Sequence, residues 1–476
     1  MQETWATSAG LDLHIELSGT RPRAALESAL RDAVRSGRLA AGTALPSSRA
    51  LATDLGLARN TVADAYGQLV AEGWLAARHG SGTWVTEQVA RIRAAEPEHA
   101  PDASPGLRYD LRAGFPDVSA FPRAAWLAAA RRALAAARAR SLVGYGEPAG
   151  LPVLRAALAT YLARARGVSV VPERIVVCAG FSQGLELICD LLKSRGERTL
   201  AVEAYGQPEH RQVAVSAGMS VVPVPVDGRG ALADGEPPAG AGAMLLTPAH
   251  QFPLGTALAP ERRRLAVDWA GAGRRLIIED DYDGEFRYDR QAVGALQSLA
   301  PDNVVYAGTA SKSLVPGLRL GWLALPEQLV GDVIEIKRAT GRLSSSLDQL
   351  TLAEFISSGG YDRQVRRARL AYRKRRDWLV SQLRRHVPAV TVTGIAAGLH
   401  VLVRLPAGAT EEDVIARAAD RGLALHGLAG FRLGGPELGG PELGPALIVG
   451  YATPPGHAFS TAVARLCAVL AEAPEQ

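Results

Sequence analysis

The chain has 476 residues, of which 47% are hydrophobic and 21% charged, and its formal net charge is +5. This length exceeds that of one ordinary domain, so two or three domains are expected. Neither a run of about 18 uncharged apolar residues nor a secretory signal is visible, which argues against a membrane span and against export. The cysteines lack disulfide and zinc-ligand spacing, which predicts buried thiols, no metal site and a reducing cytoplasm; they are Cys178, Cys189 and Cys467.

The first predicted domain spans residues 12–86. Its apolar spacing predicts three helices, which end near Gly37, Gly56 and Gly73. Residues 74–85 predict a two-stranded hairpin with glycines at its tip. Three helices followed by such a hairpin are typical of a winged helix-turn-helix domain.

The rest of the chain predicts a linker and a larger α/β domain. Residues 87–107 have no sustained apolar period, which predicts the linker. In residues 108–476 helical and strand patterns alternate, as expected for a mostly parallel sheet covered by helices and followed by a smaller α+β lobe. Sheet strands are predicted at residues 174–178, 199–202, 243–246, 276–278 and 304–306, and strands of the smaller lobe at residues 400–404 and 447–451.

The third helix of the first domain carries candidate DNA-binding residues. It starts with Arg59, Asn60 and Thr61. A helix N-terminus can enter a major groove and offer backbone N–H groups to phosphate. Arginine pairs with guanine and asparagine with adenine, so Arg59 and Asn60 are the candidate base readers. At the hairpin tip, His79 and Gly80 can approach a DNA backbone because glycine lacks a Cβ.

Residues 21–86 resemble the GntR-type winged-helix domain of transcription regulators. The resemblance implies double-stranded operator DNA as a partner, and a phosphate or base contact for Arg49. The alternative is that Arg49 and Arg59 are solvated arginines of a generic helical domain. The segments that carry the resemblance are Leu45–Arg49, Leu55–Val62, Tyr66, Leu69, Glu72–Gly73 and Gly80–Thr83.

Three segments of the larger domain carry groups suited to a phosphate-bearing cofactor. Ile277–Tyr282 places acidic residues at the carboxyl end of a strand, where open α/β sheets bind ligands. Gly308–Trp322 contains a lysine in a Ser-Lys-Ser turn. Ala179–Gly184 joins a strand to a helix N-terminus, which suits a phosphate.

In this order the three segments resemble the fold-type I aminotransferases, in which a lysine binds pyridoxal 5'-phosphate (PLP) covalently. The resemblance assigns that lysine to Lys312, and the carboxylate that keeps the pyridine nitrogen protonated to Asp280. It implies that Tyr282 contacts the ring O3′ and that Arg319 binds the phosphate. Further phosphate contacts are expected from Ser182, Gln183, Thr309 and Ser311.

The two ends together resemble the MocR-type regulators of the GntR superfamily, from about residue 21 to the end of the chain. The resemblance implies a cytoplasmic transcription regulator that senses PLP, alone or with an amino compound, and controls genes of vitamin B6 or amino-acid metabolism. It also implies a head-to-tail homodimer, in which Tyr145 reaches the cofactor phosphate of the other protomer. Further matches are Phe115–Asp117, Phe121–Pro122, Trp126, Gly144–Tyr145, Gly150, His250–Gly255, Glu285–Tyr288 and Ala397–His400.

Two positions depart from the family pattern. Gln207 stands where the family has a tyrosine that stacks on the cofactor ring, and Tyr205 is the candidate substitute. Ile448 stands where working aminotransferases bind the substrate carboxylate with an arginine, and Arg432 is the nearest arginine. Losing that contact argues against full transamination. The main prediction is therefore a regulator without catalytic residues, and the alternative is an active aminotransferase with a DNA-binding appendage.

Two segments have a strongly biased composition. Residues 363–376 contain seven arginines and one lysine with helical spacing. A solvated or dimer-facing surface is favoured for this run, with an auxiliary DNA contact as the alternative. Residues 434–444 contain Gly-Gly-Pro-Glu-Leu twice, which predicts a surface loop insertion.

Overall fold

The structure, a computed structural model, divides the chain into two compact units, Met1–Pro105 and Gly106–Gln476. The division falls within the segment predicted as a linker. The residues described are 6–8, 11–13, 21–78, 82–86, 107–137, 146–232, 240–273, 275–288, 293–434 and 443–472.

The first unit has three helices and a small antiparallel sheet, as predicted. The strand order β3-β5-β4 adds one short strand, β3, to the predicted hairpin. A separate strand pair, β1 and β2, precedes the helices. The elements are β1 (Ala6–Ser8), β2 (Leu11–Leu13), α1 (Pro22–Arg35), β3 (Ala44–Leu45), α2 (Ser48–Leu55), α3 (Arg59–Ala71), β4 (Leu75–Arg78) and β5 (Gly82–Val85).

One apolar core holds this unit together. Leu26 and Leu30 of α1, Leu51 of α2 and Val62 of α3 are each no more than 1% exposed and belong to one cluster. The spacing of these residues is helical, so each helix contributes one face to the core. The hydroxyl of Tyr66 donates to the carbonyl of Pro46 at 3.0 Å, which ties α3 to the start of α2.

The second unit is built on a seven-stranded sheet of order β7-β15-β14-β13-β12-β8-β9. Only β15 is antiparallel to its neighbours; the other adjacent pairs are parallel. All five strands predicted for this sheet lie in it, so the prediction of a mostly parallel sheet is confirmed. The strands are β7 (Ile175–Cys178), β8 (Thr199–Glu203), β9 (Ser220–Val224), β12 (Ala243–Leu246), β13 (Leu276–Asp281), β14 (Val304–Thr309) and β15 (Gly321–Ala324), and β10 (Val226–Asp227) pairs with β11 (Gly230–Ala231) outside it.

Helices cover both faces of this sheet, so its strands are apolar on both sides. Val176 and Cys178 of β7 pack on one face in a cluster with α6 and α9, whereas Ile175 and Val177 pack on the other with α5 and α10. All three cysteines are free and buried, as predicted. The helices are α4 (Arg123–Ala136), α5 (Pro152–Arg166), α6 (Phe181–Ser194), α7 (Pro208–Ser216), α8 (Pro260–Ala272), α9 (Val330–Thr340) and α10 (Ser346–Ser357).

The C-terminal part forms the predicted smaller lobe around an antiparallel sheet of order β16-β17-β20-β19. The start of the second unit joins this lobe, because β6 pairs in parallel with β18. The elements are β6 (Tyr109–Asp110), α11 (Gly360–His386), β16 (Thr391–Thr393), β17 (His400–Arg404), α12 (Glu411–Asp420), β18 (Leu423–Ala424), β19 (His426–Gly427), β20 (Ala446–Gly450) and α13 (Gly456–Ala471). Most of the repeat at residues 434–444 lies outside the described residues.

Candidate functional site

The first candidate site is the N-terminus of α3, preceded by a tight turn from α2. The hydroxyl of Ser47 caps α2 by accepting from the amide of Ala50 at 3.2 Å. Gly56 ends α2 in the left-handed conformation, with φ 66°, which glycine adopts without strain. The chain therefore reverses within a few residues and presents the start of α3 at the surface.

The N-cap residue of α3, Ala58, has no side chain that can accept from the first-turn amides. Helix N-termini without a capping side chain leave N–H groups for water or a ligand. Arg59 and Asn60 are exposed there and Thr61 is partly exposed, and Arg49 is exposed on α2. The predicted DNA-binding residues His79 and Gly80 lie outside the described residues.

The second candidate site is a cavity of about 350 Å³ in the second unit. It opens at the carboxyl ends of four parallel strands, where α/β sheets bind ligands. The cavity is lined by Gly114, Phe115, Phe181, Ser182, Val202, Glu203, Gly206, Gln207, Glu209, His210, Arg211, Leu245, Thr247, Phe252, Asp280, Tyr282, Thr309, Ser311, Lys312, Pro316, Arg319, Leu399 and His400.

Strand alternation decides which acid of β13 faces the cavity. Asp280 and Tyr282 line it, whereas Asp281 lies on the other side of the strand. There Asp281 is paired with the buried Arg166 at 2.6 Å and accepts from Tyr306 at 2.7 Å. Asp280 has no hydrogen bond within the described part of the chain, and its closest ionisable contact is Nδ1 of His210, 3.8 Å away. Asp280 is therefore a buried carboxylate without a strong internal partner.

Lys312 lies in the turn after β14, and its ammonium donates to the carbonyl of Gly114. Burial lowers the pKa of Lys312, an effect opposed by Asp280 and Asp283. Burial also raises the pKa of Asp280 well above its usual value, opposed by Lys312. One cavity thus holds an amine that gives up its proton more easily and a carboxylate that releases its proton less easily.

Arg319 and the N-terminus of α6 form an anion-binding corner of the cavity. Arg319 adopts φ 48° at the end of a short 3₁₀ turn. A Cβ on Gly180 would lie 3.2 Å from its guanidinium, and Gly180 has a φ of 84°, which glycine adopts without strain, so glycine favours this close approach. Ser182 and Ser311 line the same cavity. Thr309 lines it too, but its hydroxyl donates to the carbonyl of Leu320 at 3.2 Å and accepts from the amide of Ser311 at 3.2 Å, so it shapes the turn.

Tyr282 is held by a buried histidine and a buried carboxylate. Its hydroxyl lies 3.1 Å from Nδ1 of His250, which in turn lies 2.8 Å from Asp283. A Cβ on Gly398 would lie 2.3 Å from the imidazole and 2.5 Å from the carboxylate, so the chain passes close over this pair. Burial raises the pKa of Tyr282 well above its usual value, with Asp283 and Asp280 adding to the effect, so the phenol keeps its proton.

Two of the predicted cofactor-binding residues do not line the cavity, and a third lies outside the described residues. The side-chain amide of Gln183 accepts from the amide of Ala179 at 2.7 Å and donates to the carbonyl of Arg342 at 2.8 Å, so it braces α6 instead of facing the cavity. The ring of Tyr205 packs in an apolar cluster with Phe252 and Phe431. Gln207 lines the cavity in its place, because Tyr205 precedes the turn into α7. Tyr145 lies outside the described residues.

Sequence reasoning missed several cavity residues on β8 and α7. Glu203 ends β8, and Glu209, His210 and Arg211 lie in the first turn of α7. The ring of His210 packs 4.5 Å from that of Phe181. The rule that ligands bind at the carboxyl ends of parallel strands points to Glu203 and to the helix that follows it.

The expected position of a substrate-binding arginine is apolar. Ile448 is fully buried in β20, in the same apolar cluster as Tyr205. Arg432 does not line the cavity, whereas Arg211 and Arg319 do. Arg211 donates to the carbonyl of Gly206 at 3.2 Å and is half-buried, and burial lowers its pKa.

Two further features are absent from the described residues. None of their helices is long and apolar enough to cross a lipid bilayer. No group of three or more histidine, cysteine, aspartate or glutamate side chains among them is arranged to hold a metal ion.

Two protein families match the chain. The family described as aminotransferase class I and II matches residues 110–435, and the family described as bacterial regulatory proteins, gntR family, matches residues 22–85. These families cover the unit with the cavity and the unit with the exposed helix N-terminus.

The chain is similar over most of its length to curated regulators. The probable rhizopine catabolism regulatory protein MocR of Rhizobium meliloti is 34% identical over 410 residues, which cover 82% of this chain and 83% of that protein. The HTH-type pyridoxine biosynthesis transcriptional regulator PdxR of Corynebacterium glutamicum is 33% identical over 417 residues, covering 87% and 90%. Among solved structures, an archaeal alanine:glyoxylate aminotransferase matches with a TM-score of 0.66 at 25% identity, over 76% of this chain and 91% of that one.

Proposed function

Because the chain belongs to the MocR-type transcription regulators, in which a GntR-type DNA-binding domain is joined to an aminotransferase-like domain, we propose that its second unit binds pyridoxal phosphate in order to sense it. The cofactor acts alone or together with an amino compound. The names of these relatives refer to pyridoxine biosynthesis and rhizopine catabolism, which supports target genes of vitamin B6 or amino-compound metabolism.

The observation that carries this proposal is the pairing of Lys312 and Asp280 in one buried cavity. Buried ionisable groups without strong partners cost folding free energy, so sites that keep them usually use them for a ligand. When bound, pyridoxal phosphate supplies an aldehyde that reacts with amines and a pyridine nitrogen that carries a proton. Lys312 fits the aldehyde, because its lowered pKa leaves more of the amine unprotonated. Asp280 fits the pyridine nitrogen, because it is a buried carboxyl that lines the same cavity and can share a proton with that nitrogen.

The other end of the cofactor fits the anion-binding corner. Arg319 supplies a guanidinium, whose fork geometry suits phosphate oxygens. The N-terminal amides of α6 and the hydroxyls of Ser182 and Ser311 supply further donors. Tyr282, held by His250 and Asp283, offers its hydroxyl to the ring oxygen next to the aldehyde.

Sensing is favoured over transamination because the site has no arginine at the position of Ile448. Catalysis needs the amino donor held in line with the reacting carbon, and losing one anchor lowers the rate by orders of magnitude. Arg211 remains as the cavity group that can hold an acidic effector, at a different place. The head-to-tail homodimer, with Tyr145 at the cofactor phosphate of the other protomer, is part of the same proposal, and sedimentation of the cofactor-bound protein tests it.

The test measures DNA affinity with and without PLP, for the parent and for Lys312→Ala, on a duplex that the protein selects from a random-sequence pool. PLP is expected to change the affinity of the parent and to have a smaller effect on the variant. The coupling is reciprocal, so the selected duplex must change PLP affinity by the same factor. Equal affinities in all four conditions would exclude a regulatory role for the cofactor, and rapid keto-acid formation from an amino acid would favour the aminotransferase.

A further inference from the structure

The long helix α11 concentrates the positive charge of the chain. It contains ten of the 53 lysines and arginines and only two of the 48 acidic residues. Since the formal net charge of the whole chain is +5, the rest of the chain is net acidic. The partner of each cation on α11 shows how much of this positive charge is used within the fold.

Three of these cations serve the fold. Arg369 donates to the carbonyl of Glu285 at 2.8 Å, and Arg375 pairs with the buried Asp117 at 2.7 Å. Arg376, largely buried, pairs with Asp377 at 3.1 Å. The other seven have exposed side chains and form what we call the basic face: Arg363, Arg366, Arg367, Arg373, Lys374, Arg384 and Arg385. Two of the seven also bind backbone carbonyls, since Arg367 donates to Ala120 at 2.7 Å and Arg363 donates to Ser358 at 3.2 Å.

The acidic residues of α11 leave most of the basic face unneutralised. Asp362 is bound by Arg164 at 2.7 Å, outside the helix. Asp377 lies 3.7 Å from Arg373. Within the described residues, Arg366 and Lys374 have no ion pair, and neither have Arg384 and Arg385. The positive charge of this face is therefore available to a partner.

The cations lie along one side of the helix. Steps of three and four residues keep side chains on the same face, and the distance from Arg363 to Arg385 is about 33 Å at ~1.5 Å per residue. Leu370, in the middle of this face, is 70% exposed. Like charges three and four residues apart destabilise a helix by a few tenths of a kcal/mol per pair. The fold thus tolerates a repulsion among cations of which four make no hydrogen bond or ion pair within the described residues: Arg366, Lys374, Arg384 and Arg385.

We propose that the basic face of α11 is a second DNA contact of this protein, one that binds the sugar-phosphate backbone of a duplex without reading its sequence. Duplex DNA carries one negative charge per about 1.7 Å, so a 33 Å face of cations matches a dense row of phosphates. Six of the seven cations are arginine, whose planar fork suits phosphate oxygens better than lysine does. This contact adds to binding by α3 and does not depend on the proposed cofactor.

The test compares two full-length double variants on a 40-bp duplex of random sequence, over a series of salt concentrations. Arg366→Gln/Lys374→Gln removes two cations of the basic face. Arg198→Gln/Arg264→Gln removes the same charge from exposed positions elsewhere in the unit. Each phosphate contact contributes about 0.9 to the slope of log affinity against log salt concentration. The first variant is expected to have a slope shallower by about 2, and the second is expected to keep the parent slope.

Equal slopes in the parent and the basic-face variant would overturn the proposal. An equal loss of slope in both double variants would overturn it too, because it would indicate a general effect of net charge. A basic-face variant that keeps the parent slope but dissociates in sedimentation would assign the face to a second copy of the chain. One that keeps the slope but no longer binds phosphatidylserine vesicles would assign it to a lipid surface. Unchanged labelling of Lys312 by PLP and borohydride checks that each variant is folded.

Discussion

The two candidate sites use charged side chains in opposite ways. At the start of α3, Arg59 and Asn60 extend into solvent from a small rigid core. In the cavity of the second unit, Lys312 and Asp280 are buried, and burial shifts both of their pKa values. Exposed cations gain binding energy by releasing counterions from DNA, so the salt concentration controls their contribution to affinity. Buried ionisable groups can exchange protons with a ligand, so their protonation depends on pH and on the ligand.

One variant removes the buried amine of the cavity. Lys312→Ala is expected to abolish covalent attachment of PLP completely, because no other described lysine lines the cavity. The measurement is borohydride reduction of the PLP-treated protein, followed by mapping of the labelled peptide. Lys374→Ala, which removes an exposed lysine of α11, is the matched control and is expected to keep the label. A label on another lysine in the parent protein would contradict the assignment.

A second variant is designed to unfold the first unit while the second unit stays folded. Leu51 is fully buried in the core of the first unit, so Leu51→Ala is expected to cost about 2–5 kcal/mol there. DNA binding should then fail at a lower temperature while labelling of Lys312 by PLP persists. Leu347→Ala truncates a leucine that is 50% exposed on α10 and is expected to change stability by less than about 0.5 kcal/mol. Joint loss of both activities in Leu51→Ala would mean that the units unfold together.

The pH dependence of the second unit tests its buried carboxyls. Burial raises the pKa of Glu203 from 4.5 to about 7. The folded state therefore holds this proton more tightly than the unfolded state does. The stability that the protonated form provides is complete below about pH 4.5 and is lost as the pH rises through 7, up to about 3 kcal/mol.

Glu203→Gln keeps the shape of the protonated form without the charge. The variant is expected to melt close to the parent at pH 5 and above it at pH 8, measured on the cofactor-free protein. Glu197→Gln, at an exposed position, is the control and should follow the parent at both pH values. The same gap in melting temperature at pH 5 and pH 8 would show that Glu203 does not titrate between them.

Sequence patterns predicted five of the seven strands of the large sheet. Runs such as Ala243–Leu246 are apolar throughout, and each of them forms a strand of the large sheet. The edge strand Ser220–Val224 is partly exposed and contains Pro223, which is tolerated at an edge but weakens the pattern. The strand Gly321–Ala324 is also buried throughout, but it begins with a glycine, which weakens a strand pattern, and it was not predicted.

The predicted cofactor-binding residues line the cavity where their own strand or turn determines their position. Asp280 and Tyr282 alternate on β13, and the turn after β14 presents Lys312, so local pattern placed all three. The resemblance to aminotransferases implied that Gln183 contacts the phosphate, but its side-chain amide donates instead to the carbonyl of Arg342, 159 residues away along the chain. Such a contact depends on the tertiary fold, which spacing along the chain does not encode.

A change at the exposed site at the start of α3 is expected to have a smaller effect. Arg59 is the first residue of α3 and is exposed, so replacing it removes contacts to DNA without disturbing the core. If Arg59 reads a base, Arg59→Ala weakens binding to the selected duplex by about 1–3 kcal/mol and binding to random DNA by less. Arg21→Ala, an exposed arginine that precedes α1, is the control and is expected to change neither. Both duplexes are measured at one salt concentration, because affinity for each falls steeply with salt. Equal weakening on the two duplexes would make Arg59 a phosphate contact, and sequence reading would then fall to Asn60 or to the hairpin.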